Sequence, residues 1–281
     1  MISANTKHSV PFKGKRSQRL AVLKRQISQI ESYDSRVGDA EMVDHDVAGE
    51  LPPLIGKTAR RPALHELVAS TYLDQPAVRE FTLALIAFLM QGGVLSQKGC
   101  QGMVLWCQRR MDSAEFGNLY GPGLKALGLP PECFLIVTGN RDTDCLWAME
   151  QGLASRSFLA VVGAVDHISL VASRRLSLAA RAHDTFCFLL PIHQGQEPSA
   201  ARTRWRIRSA PSTPDHLDRK SLGLPTWKLN LERSPTGRIG HWTVEWDHAA
   251  HHFHLSRRQS STGRSRADQE DGDIIAFERA G

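Results

Sequence analysis

The segment SFLAVVGAVDHISL, Ser157 to Leu170, carries an unbroken apolar run at its centre, Phe158 to Val162. A short run of this kind between helical patterns reads as a parallel strand buried on both faces. In nucleotide-hydrolysing α/β domains such a strand ends in an acidic residue that orients Mg²⁺. A strand from Ser157 to Val162 puts Gly163 at that position, and the first carboxylate, Asp166, comes three residues later. The segment predicts a strand of nucleotide-binding type without the acid that makes such a strand catalytic.

The same alternation extends to both sides. Ala63–Ala69, Met103–Cys107, Phe134–Val137 and Thr185–Leu190 read as further strands. Pro76–Met90, Thr143–Leu153 and Ser169–Ala182 read as helices, and a short helix after Phe116 ends at Gly128. Strands alternating with helices of this length make βαβ units. The predicted fold class is α/β, a mostly parallel sheet flanked by helices. After Pro198 the pattern changes. Arg202 to Arg208 (RTRWRIR) alternates strictly, and Thr226–Leu231 and Trp242–Asp247 read as strands joined by a hairpin loop, Ser234 to Gly240. These are antiparallel strands appended on the C-terminal side.

Three regions follow: an N-terminal helix and linker over 1–58, the α/β domain over 59–255, and a polar tail over 256–281 that reads as disordered. The N-terminal helix starts near Ser17 and carries Leu20, Leu23, Ile27 and Ile30 as a narrow apolar stripe. The stripe fits a helix that packs on its own domain and, equally, one that docks on a partner protein. The longest apolar run, Phe81 to Met90, is too short to span a bilayer, and the N-terminus has no apolar signal region. Five cysteines without a CxxC pair fit reduced thiols, so a cytoplasmic location is expected.

No catalytic, cofactor-binding or metal-binding residue is predicted. The connection Ser70 to Gln75, where a phosphate-binding loop would belong, has no Gly and no Lys. Gly56-Lys57-Thr58 spells the end of a P-loop, but no strand precedes it and Pro62 cuts into any following helix, so the match reads as chance. Asp142 and Asp144 follow the third strand, where α/β sheets place their sites, and also fit as helix caps. His248, His251, His252 and His254 cluster, either as a metal site without the glutamate of a HExxH motif or as a polar strand end. The net charge of +6 equals the excess of eleven Lys+Arg over five Asp+Glu between Arg202 and Arg258. Arg202, Arg204, Arg206 and Arg208 would share one strand face. That face reads as a contact for DNA, as a contact for an acidic protein, or as a solvated surface.

Longer phrases are more specific. LYGPGLKALGL (Leu119–Leu129), DTDCLWAMEQGL (Asp142–Leu153), VASRRLSLAA (Val171–Ala180), PSAARTRWRIRSAPS (Pro198–Ser212) and WTVEWDHAAHHF (Trp242–Phe253) together resemble the ImuA proteins. The resemblance covers about Ala63 to Phe253. It implies a RecA-like fold related to the SulA division inhibitors, and a non-catalytic accessory role in the SOS response, in error-prone translesion synthesis. The implied partners are an ImuB-type protein and a C-family polymerase; RecA, and DNA through the arginine face, are further candidates. It also matches the missing nucleotide motifs. A SulA-like division inhibitor and a RecA-type ATP-binding protein remain the alternative readings.

Overall fold

The computed structural model describes residues 62–91, 102–192, 198–212, 222–235 and 239–256. The N-terminal stripe, Gly56-Lys57-Thr58 and the tail from residue 257 lie outside them. Strand β1 (Leu64–Ala69) leads through a 3-10 turn at Tyr72–Asp74 into helix α1 (Gln75–Gln91). β2 (Val104–Arg109) runs into α2 (Arg110–Phe116), followed by α3 (Gly121–Ala126). β3 (Phe134–Gly139), α4 (Asp142–Ser155), β4 (Ala160–Val165), α5 (Leu170–Ala182) and β5 (Phe186–Pro191) complete the alternating part. β6 (Thr203–Ala210), β7 (Thr226–Arg233), β8 (Gly240–Asp247) and β9 (His252–Leu255) follow.

All nine strands of the described residues share one sheet, in the order β3-β2-β4-β5-β1-β6-β7-β8-β9. Neighbours from β3 to β6 pair parallel, and those from β6 to β9 pair antiparallel. The chain is thus an α/β protein with a mostly parallel sheet and antiparallel strands at its C-terminal end. The arginine-bearing strand β6 is the joint: it lies parallel to β1 on one side and antiparallel to β7 on the other. No helix among the described residues is long and apolar enough to cross a membrane.

One boundary shifts in a way that matters. The strand expected at Ser157 to Val162 instead spans Ala160 to Val165. Gly163, Ala164 and Val165 continue the ladder against Leu189, Leu190 and Pro191 of β5, so Gly163 lies inside the strand. An acid, Asp166, therefore does follow the strand directly.

Period-two alternation sorts each strand's side chains into two layers. Leu67, Trp106, Val162, Phe188, Trp205, Trp227, Trp246 and Phe253 face one core, which α1 covers with Phe81, Leu85 and Leu89. Leu64, Leu105, Cys107, Val161, Val165 and Leu189 face the other, covered by Met149 and Leu153 of α4 and Leu176 of α5. The first core runs from β2 to β9. The second stops at β1, and beyond it the same face of β6, β7 and β8 turns polar.

Helix starts are fixed locally. Ser169 caps α5 by accepting from the Ala172 N–H at 3.2 Å. The Asp144 carboxylate caps α4 by accepting from the N–H groups of Asn140 and Arg141 at 3.1 and 3.0 Å. Gly163 lets α4 sit close on β4: a Cβ there would lie 2.1 Å from Sδ of Met149, which is fully buried. Gly163→Ala should therefore destabilise by about 1–3 kcal/mol in urea unfolding, as overpacking does. Adding Met149→Ala should recover part of that loss, a non-additivity that a double-mutant cycle reads directly.

Candidate functional site

Open α/β sheets place ligands at the carboxyl ends of their strands. Here those ends are filled by the chain's own charges. After β1, the Asp74 carboxylate accepts from the Thr71 N–H at 3.0 Å and its hydroxyl at 2.8 Å. It also accepts from the Ser209 N–H at 3.0 Å and hydroxyl at 2.9 Å. The turn that could have offered donors to a phosphate thus gives them to an internal carboxylate. Burial would raise the Asp74 pKa, but the hydrogen bonds from Ser209 and Thr71 outweigh it and hold the group below the ordinary carboxylate range. The neighbouring Gln75 is buried and donates to the carbonyls of Pro191 and Ile192, both at 3.2 Å, past the end of β5.

Arg109, at the end of β2, plays the matching role for three acids. Its guanidinium donates to Asp112 at 3.0 and 2.7 Å, meets Asp166 at 3.0 Å and lies 3.6 Å from Asp142. The hydrogen bond to Asp112 holds Arg109 firmly protonated. Asp142 is no cap. It accepts from the backbone N–H groups of Asp166 and His167 at 2.8 and 3.1 Å and ties the end of β4 to the start of α4. Of the two aspartates with open roles, Asp144 caps and Asp142 clamps. The carboxylate that follows β4 is engaged with an arginine.

The arginine face is less bare than alternation alone implies. Like charges along one strand repel, but Glu66 of β1, 2% exposed, takes Arg204 in two hydrogen bonds of 2.8 and 2.9 Å. The same carboxylate accepts from the Ser199 hydroxyl at 2.8 Å and lies 3.8 Å from Arg233. Arg206 pairs with Glu232 of β7. Arg202 precedes β6, its N–H bonded to the Leu64 carbonyl at 2.7 Å. Arg208 is exposed and stands directly opposite exposed Lys228 of β7. Sequence reading missed Glu66, Lys228, Asn230 and His241 on this face. The signals were present: one acid inside the apolar strand LHELVA, and polar alternation in TWKLNLER and GHWTVEWD.

Comparison with curated proteins finds "Protein ImuA" of Caulobacter vibrioides, in two strains. Each is 34% identical over 205 residues, covering 69% of this chain and 78% of the relative. The chain belongs to the ImuA family. A scan against protein-family models gives no match. The family resemblance read from the quoted phrases is thereby shown.

The histidines do not converge. His252 and His254 lie on β9 with rings 5.5 Å apart, and His252 also packs on Phe88 at 5.2 Å. His251 packs against Gly128, and the His248 ring nitrogen faces the Ala126 carbonyl at 3.4 Å. Among the described residues no group of three or more His, Cys, Asp or Glu is placed to hold a metal ion. Burial pushes the Cys107 thiol up to about 12 and the Cys145 thiol to about 11, so both stay protonated and poorly nucleophilic at neutral pH.

Glu66→Ala should destabilise by about 3–5 kcal/mol, because it leaves Arg204 half-buried without its counter-charge. Glu66→Gln, which keeps the shape and one acceptor, should cost less, and urea unfolding of the pair checks the order. A second expectation concerns pH. The folded pKa of Asp74 lies below the unfolded value of about 3.9, so its stabilisation is full above that pH and lost as pH falls through the lower folded value. The melting-temperature gap between the native chain and Asp74→Asn should hold steady from pH 7 to about 4 and shrink below it.

Proposed function

We propose that this chain is a non-catalytic accessory protein of an error-prone translesion DNA synthesis complex, acting in DNA-damage-induced mutagenesis. Membership of the ImuA family supports the pathway. The observation that supports a role without catalysis is the state of the strand ends: Asp74 takes up the donors of the β1–α1 turn, and Arg109 engages the acid after β4. Phosphoryl transfer relies on positioned donors and a metal-orienting acid, and here both are committed to internal pairs. The chain then works by holding partners together. An ImuB-type protein and a C-family polymerase are the partners that the family resemblance suggests, with RecA a further candidate.

The test has two parts. Deleting the gene should abolish damage-induced mutation after ultraviolet treatment, and the native gene should restore it. The purified chain should show neither micromolar binding of Mg-ATP by calorimetry nor turnover above buffer. Unchanged induced mutagenesis in the deletion strain would defeat the pathway assignment. Micromolar Mg-ATP affinity with measurable hydrolysis would defeat the non-catalytic one.

A further inference from the structure

We propose that the open face of β6, β7 and β8 binds the phosphodiester backbone of duplex DNA, with Arg208 and Lys228 as its phosphate contacts. The accessory role needs no nucleic-acid contact by this chain, so the inference goes beyond it.

The starting point is a cost. Arg208 and Lys228 are direct partners across the antiparallel β6–β7 ladder, and their side chains leave the sheet on the same face. Like charges directly opposite destabilise a strand pair. Elsewhere on this face the chain offsets its cations internally, Arg204 with Glu66 and Arg206 with Glu232. Neither Arg208 nor Lys228 has a carboxylate partner among the described residues. The uncompensated charge is therefore concentrated at one place.

That place is a groove. An open depression of about 610 Å³ crosses the face, bordered by Arg206, Arg208, Lys228, Asn230 and His241 and, at the end of β1, by Ser70. Among the described residues no Asp or Glu lines it. Arg and Lys interleaved with hydroxyl and amide groups are the side chains that contact nucleic-acid phosphates and sugars. Such a set fixes position without reading sequence. A single strand is gripped through aromatic platforms on which its bases stack. Among the described lining residues Trp242 is the one large aromatic; it is half-buried and lies against Trp205 of the first core, centroids 5.6 Å apart, so no row of such platforms lines the groove there. The lining also includes Ala210, Pro211 and Leu229, but its charged groups are all cationic, and a duplex, with bases turned inward and phosphates outward, meets those cations with its backbone.

The experiment uses the full chain and a fluorescein-labelled random-sequence duplex, with anisotropy read across a salt series. Each phosphate contact on duplex DNA contributes about −0.9 to the slope of log affinity against log salt. Arg208→Ala with Lys228→Ala should therefore remove about 1.8 units of slope and weaken binding at low salt. The variant should melt no lower than the native chain, because it removes a repelling pair, so lost binding cannot be assigned to unfolding. Arg175→Ala, an exposed arginine of α5, should leave the slope unchanged. Three results would overturn the proposal. One is an unchanged duplex slope in a folded double variant. Another is a slope change seen only with single-stranded DNA. The third is a variant that loses an acidic peptide such as poly-glutamate but keeps duplex binding, which would mark the face as a protein contact.

Discussion

The Glu66 carboxylate ties the parallel part of the sheet to its antiparallel part through side chains, on the face opposite the tryptophan core. It lies on β1, the strand at which the parallel part ends. It gathers the Arg204 guanidinium from β6, the Ser199 hydroxyl from the preceding segment and, at longer range, Arg233 from β7. Buried carboxylates are costly unless their lone pairs are satisfied. Here the satisfaction comes from three chain segments at once, so the register of β6 and β7 against β1 is specified by charge as well as by apolar packing. On the opposite face the tryptophan layer does the corresponding work. Trp205, Trp227 and Trp246 are fully buried beneath α1. Between the carboxylate and the tryptophans, the antiparallel strands are bound to the parallel ones on both sides of the sheet.

Every strand of the alternating part was legible in the sequence as a short apolar run: β1, β2, β4 and β5 because they are buried on both faces, and edge strand β3 although Leu135 and Ile136 are exposed. Of the antiparallel addition, β6 was legible from strict alternation in RTRWRIR and β7 and β8 from their own runs, but the four-residue β9 was not read. The end of β4 was misplaced because glycine reads as a terminator. Its actual role is steric: it leaves room for Met149, a relation between positions fourteen residues apart that no local pattern displays. The repulsion along Arg204 and Arg206 was misjudged for a similar reason. Their counter-charges sit on other strands, Glu66 on β1 and Glu232 on β7, and only the sheet order brings them close. The emptiness of the β1–α1 turn was readable as missing glycines and lysine. Its closure by Asp74 through Ser209 was not, since that partner lies 135 residues away.

The three buried thiols follow the same division. Cys107, Cys145 and Cys187 all face the second core, where burial keeps them protonated. The second core is the smaller and ends at β1, so on that face the sheet beyond β1 presents polar side chains instead of a packed core. The strand ends and the open face thus differ in kind. At the ends, the aspartates are taken up by Arg109 and by backbone and hydroxyl donors. On the face, arginine and lysine outnumber the acids that reach them.

Sheet order also sets a timetable. β1 is the first strand of the sheet to leave the ribosome, yet both of its neighbours, β5 and β6, come last or later than every other parallel strand. His65 waits for Thr203, 138 residues downstream. At a synthesis rate of 5–20 residues per second, that interval is roughly 7–28 s. Until β5 emerges, shortly before Thr203, the apolar residues of β1 have α1 as their nearby partner and no strand on either edge. The nascent chain therefore carries its most central strand unpaired for the longest time, and the sheet can close only after β6 has emerged.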